Sequence, residues 1–289
     1  MSGRHVVAQL GTVRDVADLD LAPGERPLIF SYGAGVDSYF ALVELLTSEL
    51  PTWSAARRRL VAIVHADLGA ELPETTWHLE HVAQPFAAAH GWSITVIRPR
   101  VWSGRGERHV ETFRDYIEVQ GYIPSRTANR WCADKFKITP IADWSVAQLG
   151  LGERDVDMLI GFEANEALRV ARLAPSWRPY RFLPLVELGW TREAMVADLE
   201  RRGLVVPIKS RCSFCPFSNR AELRAIAEQH PEIFARDVET ERRALAIATP
   251  ERAARGKPAF HFFDRPLAAI GERFEAERAQ LGMFDLVAA

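Results

Sequence analysis

Cysteine is the scarcest chemistry in this chain, with three in 289 residues. An odd, low count excludes a disulfide-stapled scaffold and points away from an oxidising compartment. No apolar run approaches the roughly 18–20 residues that cross a bilayer. No basic-then-apolar signal opens the chain, so a cytoplasmic protein with no membrane partner is expected. Internal repeats, low-complexity tracts and long linkers are missing too, which excludes solenoids and flexible arrays. Net charge is −2, so no global basic field draws in nucleic acid. What remains, 48% hydrophobic and 26% charged residues, is ordinary for a soluble enzyme of one large or two small domains.

The cysteines themselves are unevenly placed. Cys212-Ser213-Phe214-Cys215-Pro216 holds two thiols on one turn, and Cys132 stands alone in Arg130-Trp131-Cys132-Ala133-Asp134-Lys135. Proline after a C-x-x-C fixes φ and removes a backbone donor, a spacing suited to metal or cluster ligation. Three thiolates would complete a 4Fe–4S cube at all but one iron. A structural zinc with a histidine as fourth ligand, or a dithiol beside one buried cysteine, fits the same count. Arginines and lysines crowd the approach to Cys132, among them Arg130, Lys135 and Lys137, and read as a solvated face that in part meets phosphate.

Residues 1–26 read as an arm or peripheral strand. Apolar runs at 27–30, 60–64, 92–97 and 156–160 read as strands. Between them, Tyr39, Leu42, Val43, Leu46 and Leu50 fall at helical spacing, and a helix over 74–90 is expected to kink at Pro85. Alternating strands and helices predict an α/β fold, a doubly wound parallel sheet of Rossmann-like type, followed by a helical C-terminal region. Thr191 is the expected cap of a helix reaching Arg202, and Ser218 of one reaching Gln229. The Phe260-His261-Phe262-Phe263 cluster reads as core packing. Expected boundaries are an arm at 1–26, a nucleotide-binding domain carrying the cysteines at 27–220, and a helical extension at 221–289.

Two polar turns fall at carboxyl ends of the expected strands, where such sheets bind ligands. The first runs Phe30-Ser31-Tyr32-Gly33-Ala34-Gly35-Val36-Asp37-Ser38. A strand feeding a Gly-rich turn into a helix aims backbone N–H groups and the positive helix end at one spot, a cradle for phosphate. The lysine of G-x-x-x-x-G-K-[ST] is absent, so this is not the common nucleoside-triphosphatase loop. The second turn runs His65-Ala66-Asp67-Leu68-Gly69-Ala70-Glu71-Leu72-Pro73-Glu74-Thr75.

That second string resembles the Asp-x-Gly-x-Glu-x-Pro-Glu-Thr loop of the 3′-phosphoadenylylsulfate (PAPS) reductase-like branch of the PP-loop ATP pyrophosphatases, the adenine nucleotide alpha hydrolase superfamily. The first turn is similar to that family's Ser-Gly-Gly-x-Asp-Ser loop at Gly35, Asp37 and Ser38, and departs from it at Gly33 and Ala34. Cys132 through Lys137 and Pro140 resembles its Cys…Lys…Pro segment. Gly161 through Arg169 resembles its Gly-Ile-Arg-x-x-Glu-Ser…Arg stretch, with Glu163 in place of the arginine, and Arg211-Cys212 to Pro216 its Gly-Cys-x-x-Cys-Pro turn. The matches span roughly residues 27–220 in the family's order.

The resemblance implies an ATP-binding fold that adenylates an acceptor, releases pyrophosphate and lets sulfur displace the adenylate. It places phosphate on Ser31, Tyr32, Gly33, Ala34, Gly35, Asp37 and Ser38, and the nucleoside side with Mg²⁺ near His65, Asp67, Gly69, Glu71 and Gly161. Arg130, Lys135 and Lys137 would neutralise phosphate, and Cys132, Cys212 and Cys215 would bind a 4Fe–4S cluster. The cysteine pattern is closest to the cluster-bearing sulfurtransferases of DNA phosphorothioation or tRNA thiolation. Expected partners are ATP or a sulfonucleotide, a sulfide donor such as a cysteine desulfurase, and a small-molecule acceptor or a nucleic-acid one reached through partner proteins; self-association is left open. One alternative is a sulfonucleotide reductase using a partner's thiol, since no cysteine follows Cys215. Another is a non-catalytic nucleotide-binding module with a structural zinc.

Overall fold

The computed structural model of the chain describes residues 4–125, 131–152, 154–171, 180–255 and 261–287. It divides into two compact units, each assembled from separate stretches. Unit 1 holds Met1–Arg100 and Lys135–Ser210, and unit 2 holds Val101–Asp134 and Arg211–Ala289. In chain order the strands are β1 (His5–Gln9), β2 (Leu28–Ser31), β3 (Leu60–Ala66), β4 (Ile94–Pro99), β5 (Val101–Ser103), β6 (Arg108–Val110), β7 (Asp157–Ile160) and β8 (Tyr180–Phe182). The helices begin with α1 (Val36–Thr47), α2 (Pro51–Arg59), α3 (Pro73–His78), α4 (Gln84–Ala89), α5 (Phe113–Gln120), α6 (Trp131–Ala133) and α7 (Thr139–Leu149). They continue with α8 (Ala167–Ala171), α9 (Pro184–Glu187), α10 (Arg192–Arg201), α11 (Arg220–Gln229), α12 (Pro231–Ala253) and α13 (Leu267–Val287).

Unit 1 is an α/β layer structure on a six-stranded, mostly parallel sheet of order β1-β4-β3-β2-β7-β8. Only the β1–β4 pair is antiparallel. Every residue of β3 is buried, as an unbroken apolar run in a parallel strand must be when both faces are covered. Alternation sorts the sheet residues into two layers. Leu28, Phe30 and Ile63 join α1, Trp53 of α2 and Leu199 of α10. Ile29, Val61 and Val64 join Ile141 and Trp144 of α7 on the other face. Residues 1–26 include β1, which covers the β4 edge. Around the kink expected at Pro85 the helix runs through a π turn at Leu79–Ala83 directly into α4, whose first turn carries Pro85.

Unit 2 packs α12 against α5, α11 and α13, beside the β5–β6 hairpin. Phe113, Phe214 and Phe262 are buried at its centre, so the expected core role of the aromatic cluster holds for Phe262. The expected cap at Ser218 is corrected by one residue. Asn219 Oδ1 accepts from Glu222 N at 2.9 Å and Glu222 Oε2 accepts from Asn219 N at 2.8 Å, a reciprocal capping box. Ser218 lies one residue before that cap, its N–H donating to Cys215 O in the preceding turn. Thr191 caps α10 as expected, its Oγ1 accepting from Ala194 N.

Candidate functional site

The β2–α1 connection builds the first loop. Ser31 ends β2 opposite Ile160, and the Tyr32 and Ala34 side chains are buried, so these two offer only backbone to a ligand. Ala34 sits at φ 56°, the left-handed region where a Cβ costs about 1–2 kcal/mol. Gly35 caps α1, and a Cβ there would press on Ser210 at 3.3 Å. Ser38 Oγ closes the loop, accepting from Gly35 N and donating to Gly35 O, each at 3.0 Å. At Gly33 a Cβ would meet nothing nearer than Ser38 Oγ at 3.6 Å, so a serine would fit. Gly161, after β7, has a packing reason to be glycine: a Cβ would lie 2.9 Å from Ser38 N.

Asp37, in the first turn of α1, is engaged by a residue that sequence reasoning missed. Arg192 Nη2 and Nε donate to its two carboxylate oxygens at 2.6 and 3.1 Å, and Arg192 Nη2 lies 3.8 Å from Glu163. Glu163 also accepts from Arg192 N at 2.8 Å. Burial pushes the Asp37 carboxyl above its ordinary range while the Arg192 guanidinium opposes the shift. The signal was available in the departure at Glu163. A second carboxylate beside Asp37 requires a cation, and Arg192, just after the Thr191 cap, supplies it.

The loop after β3 forms a second charged group. His65 is buried, with Nδ1 3.0 Å from Tyr32 O and Nε2 3.5 Å from Glu71. Lys137 Nζ, on a π turn at Asp134–Ile138 that also carries Lys135, donates to Glu71 Oε1 at 3.4 Å. Burial pushes the Glu71 carboxyl up, but Lys137 and His65 facing it hold it down at about 2. Asp67 staples its own turn: Oδ1 accepts from Gly69 N at 2.8 Å and Oδ2 from Arg98 Nε at 3.2 Å. Gly69 has φ 65°, so glycine is required there. Arg130 lies outside the described residues.

All three cysteines belong to unit 2, half-buried and outside any disulfide. Cys215 N donates to Cys212 O at 3.1 Å, putting both thiols on one turn. A buried network anchors that turn. Ser213 Oγ donates to Asp237 at 2.9 Å, and the Arg114 guanidinium reaches Asp237 at 2.6 Å and lies 5.0 Å from the Phe214 ring centre. Burial lifts the Asp237 carboxyl to about 6 against the pull of Arg114. Trp131, beside Cys132, packs on Phe113, which packs in turn on Phe214. Thus one aromatic cluster backs both cysteine segments.

The site residues differ in how well they suit the groups the sequence implies. A nucleotide fits the first loop: Gly35 leaves a cradle that a Cβ would narrow, and the buried Ser210 Oγ beside it has no hydrogen-bond partner among the described residues. Asp67 and Glu71 are each committed to a cation, so they do not by themselves form a magnesium site. Three thiols in one unit suit an iron–sulfur cluster chemically, yet among the described residues no three His, Cys, Asp or Glu side chains are gathered to hold a metal ion. Among the described residues no helix is long and apolar enough to cross a membrane. No protein-family profile and no curated protein matches the chain.

Proposed function

We propose that the chain is a cytoplasmic, ATP-dependent sulfurtransferase of the PP-loop, adenine nucleotide alpha hydrolase kind. The observation that carries this reading is one juxtaposition: the glycine-bearing loop, the N-terminus of α1 and the Arg192 guanidinium meet at the carboxyl end of β2. Backbone N–H groups of residues 33 and 34 and the positive end of a twelve-residue helix favour phosphate there. Arg192 is the mobile charge, transferring from Asp37 to phosphate oxygens, where a fork of donors binds better than a point charge. Lys135 and Lys137 add positive charge, and Lys137 shares itself with Glu71. Mg²⁺ would arrive on the triphosphate, which is how this ion is usually held.

In the reaction an acceptor oxygen attacks the α-phosphorus of ATP and the bond to pyrophosphate breaks. The adenylated oxygen then leaves as AMP when sulfur displaces it. Cys132, Cys212 and Cys215 would hold a 4Fe–4S cluster, which when bound supplies a site for sulfide delivered by a donor such as a cysteine desulfurase. Partner proteins would bring a nucleic-acid acceptor. Gly35→Val, filling the cradle against Ser210, and Arg192→Ala should each weaken ATP binding at least tenfold in isothermal titration. Unchanged affinity in both would remove this loop as the phosphate site. Release of sulfite, rather than AMP and pyrophosphate, would identify a sulfonucleotide reductase instead.

A further inference from the structure

Unit 2 contains a cavity of about 500 Å³ immediately after the C-x-x-C turn. Its walls come from Ser218 and Asn219, the start of α11, the 263–265 segment and α13. Leu223, Ile270 and Phe274 make an apolar floor, with Phe274 only 5% exposed, and Phe263 forms a half-buried wall. Arg220, Arg265 and Arg273 stand around it against a single lining carboxylate, Asp264. Nearby, Glu277 takes Arg220, Arg224 and Arg273 together, so three guanidiniums share one carboxylate and positive charge is left over.

A second observation points to a ligand. Ser218 is 4% exposed and lines this cavity, and its Oγ has no hydrogen-bond partner among the described residues. A buried hydroxyl without a partner costs about 1–3 kcal/mol. Volume, apolar walls and a few convergent polar groups are the properties of a small-ligand site.

We infer that this cavity binds one nucleotide unit, a flat base against Phe263 with its phosphate held by Arg220, Arg265 and Arg273. Aromatic walls with arginines around them suit a base and phosphate together, because stacking tolerates any base and the guanidiniums take the charge. A purely aliphatic anion would leave the Phe263 face unused, and an uncharged aromatic would leave the arginines unmatched. The unit can come from a free mononucleotide or from single-stranded nucleic acid. This inference stands on unit 2 alone and does not need the ATP loop.

The test uses the full chain and fluorescein-labelled single-stranded dT15, read by fluorescence anisotropy at several salt concentrations, with unlabelled dTMP as competitor. Thymidine avoids any preference for adenine at the first loop. Arg265→Glu, an exposed charge reversal that leaves the fold alone, should weaken strand binding at least tenfold and flatten the salt dependence by about one phosphate contact. Phe263→Ala should weaken it severalfold with little change in salt slope. Gly35→Val should leave strand binding unchanged, which separates this site from the nucleotide loop. Displacement by dTMP would identify a mononucleotide site, and loss on Arg265→Glu without displacement a strand site. Binding of neither the strand nor dTMP, or wild-type affinity in both Arg265→Glu and Phe263→Ala, would overturn the inference.

Discussion

Glu71→Gln is the sharpest perturbation of the first site. The glutamine keeps the shape of the side chain and removes the charge that Lys137 and His65 face at 3.4 and 3.5 Å. Glu71 is held at about 2 against an ordinary 4.5. Each tenfold change in proton affinity is worth about 1.4 kcal/mol, so its ionised form contributes about 3 kcal/mol to the fold. Because the folded value is depressed, that contribution is present above about 4.5 and fades as pH falls towards 2. The variant should therefore be less stable at pH 7 by about 3 kcal/mol, a drop of roughly 6–12 °C in midpoint for a domain of this size. The gap should narrow below pH 4.5, fall to about a quarter of its size by pH 2.5 and close only below about pH 2. Thermal or urea unfolding of both proteins across that range decides the matter. A gap independent of pH, or none at pH 7, would refute the reasoning, since either result means that Lys137 and His65 do not hold the carboxylate ionised.

Three further outcomes follow from the geometry. Arg114→Met leaves Asp237 buried without its cation and should destabilise unit 2 by about 3–5 kcal/mol, whereas Ser213→Ala, losing one hydrogen bond to the same carboxylate, should cost about 1–2 kcal/mol; urea unfolding followed by tryptophan fluorescence ranks the two. Gly161→Ala places a methyl 2.9 Å from Ser38 N and should cost about 1–3 kcal/mol while loosening the first turn of α1, visible as faster amide exchange there. Gly121→Ala forces a Cβ at φ 69° to within 2.9 Å of Ile247, and calorimetry should show a loss larger than the same change at Gly150, which has φ 66° and open space.

What could be read from sequence was the part that local pattern controls. β3 and α1 follow directly from apolar runs and helical spacing, and Thr191 caps α10 because its hydroxyl serves its own helix. The alternation of strands and helices made an α/β sheet legible. β5, β6 and β8 were not legible, since three residues are too few to show a period of two. Nor was the second compact unit, because its two stretches are separated in the chain by residues 135–210 of unit 1. Arg192 was missed for a related reason. Its partner Asp37 is 155 residues away, and only the acidic substitution at Glu163 hinted that a cation must come from elsewhere. The Arg114–Asp237–Ser213 network beneath the cysteine turn has no sequence signature at all, because charged residues on an amphipathic helix ordinarily face water.

Sulfur transfer, the central claim, turns on what the three cysteines hold. Anaerobic isolation and reconstitution of the full chain, with iron, sulfide and zinc counted together, tests this directly. The predicted result is a brown protein with about four iron and four sulfide per chain, bleached when Cys132, Cys212 or Cys215 is replaced by alanine. A colourless protein carrying one tightly held zinc would contradict the sulfurtransferase reading.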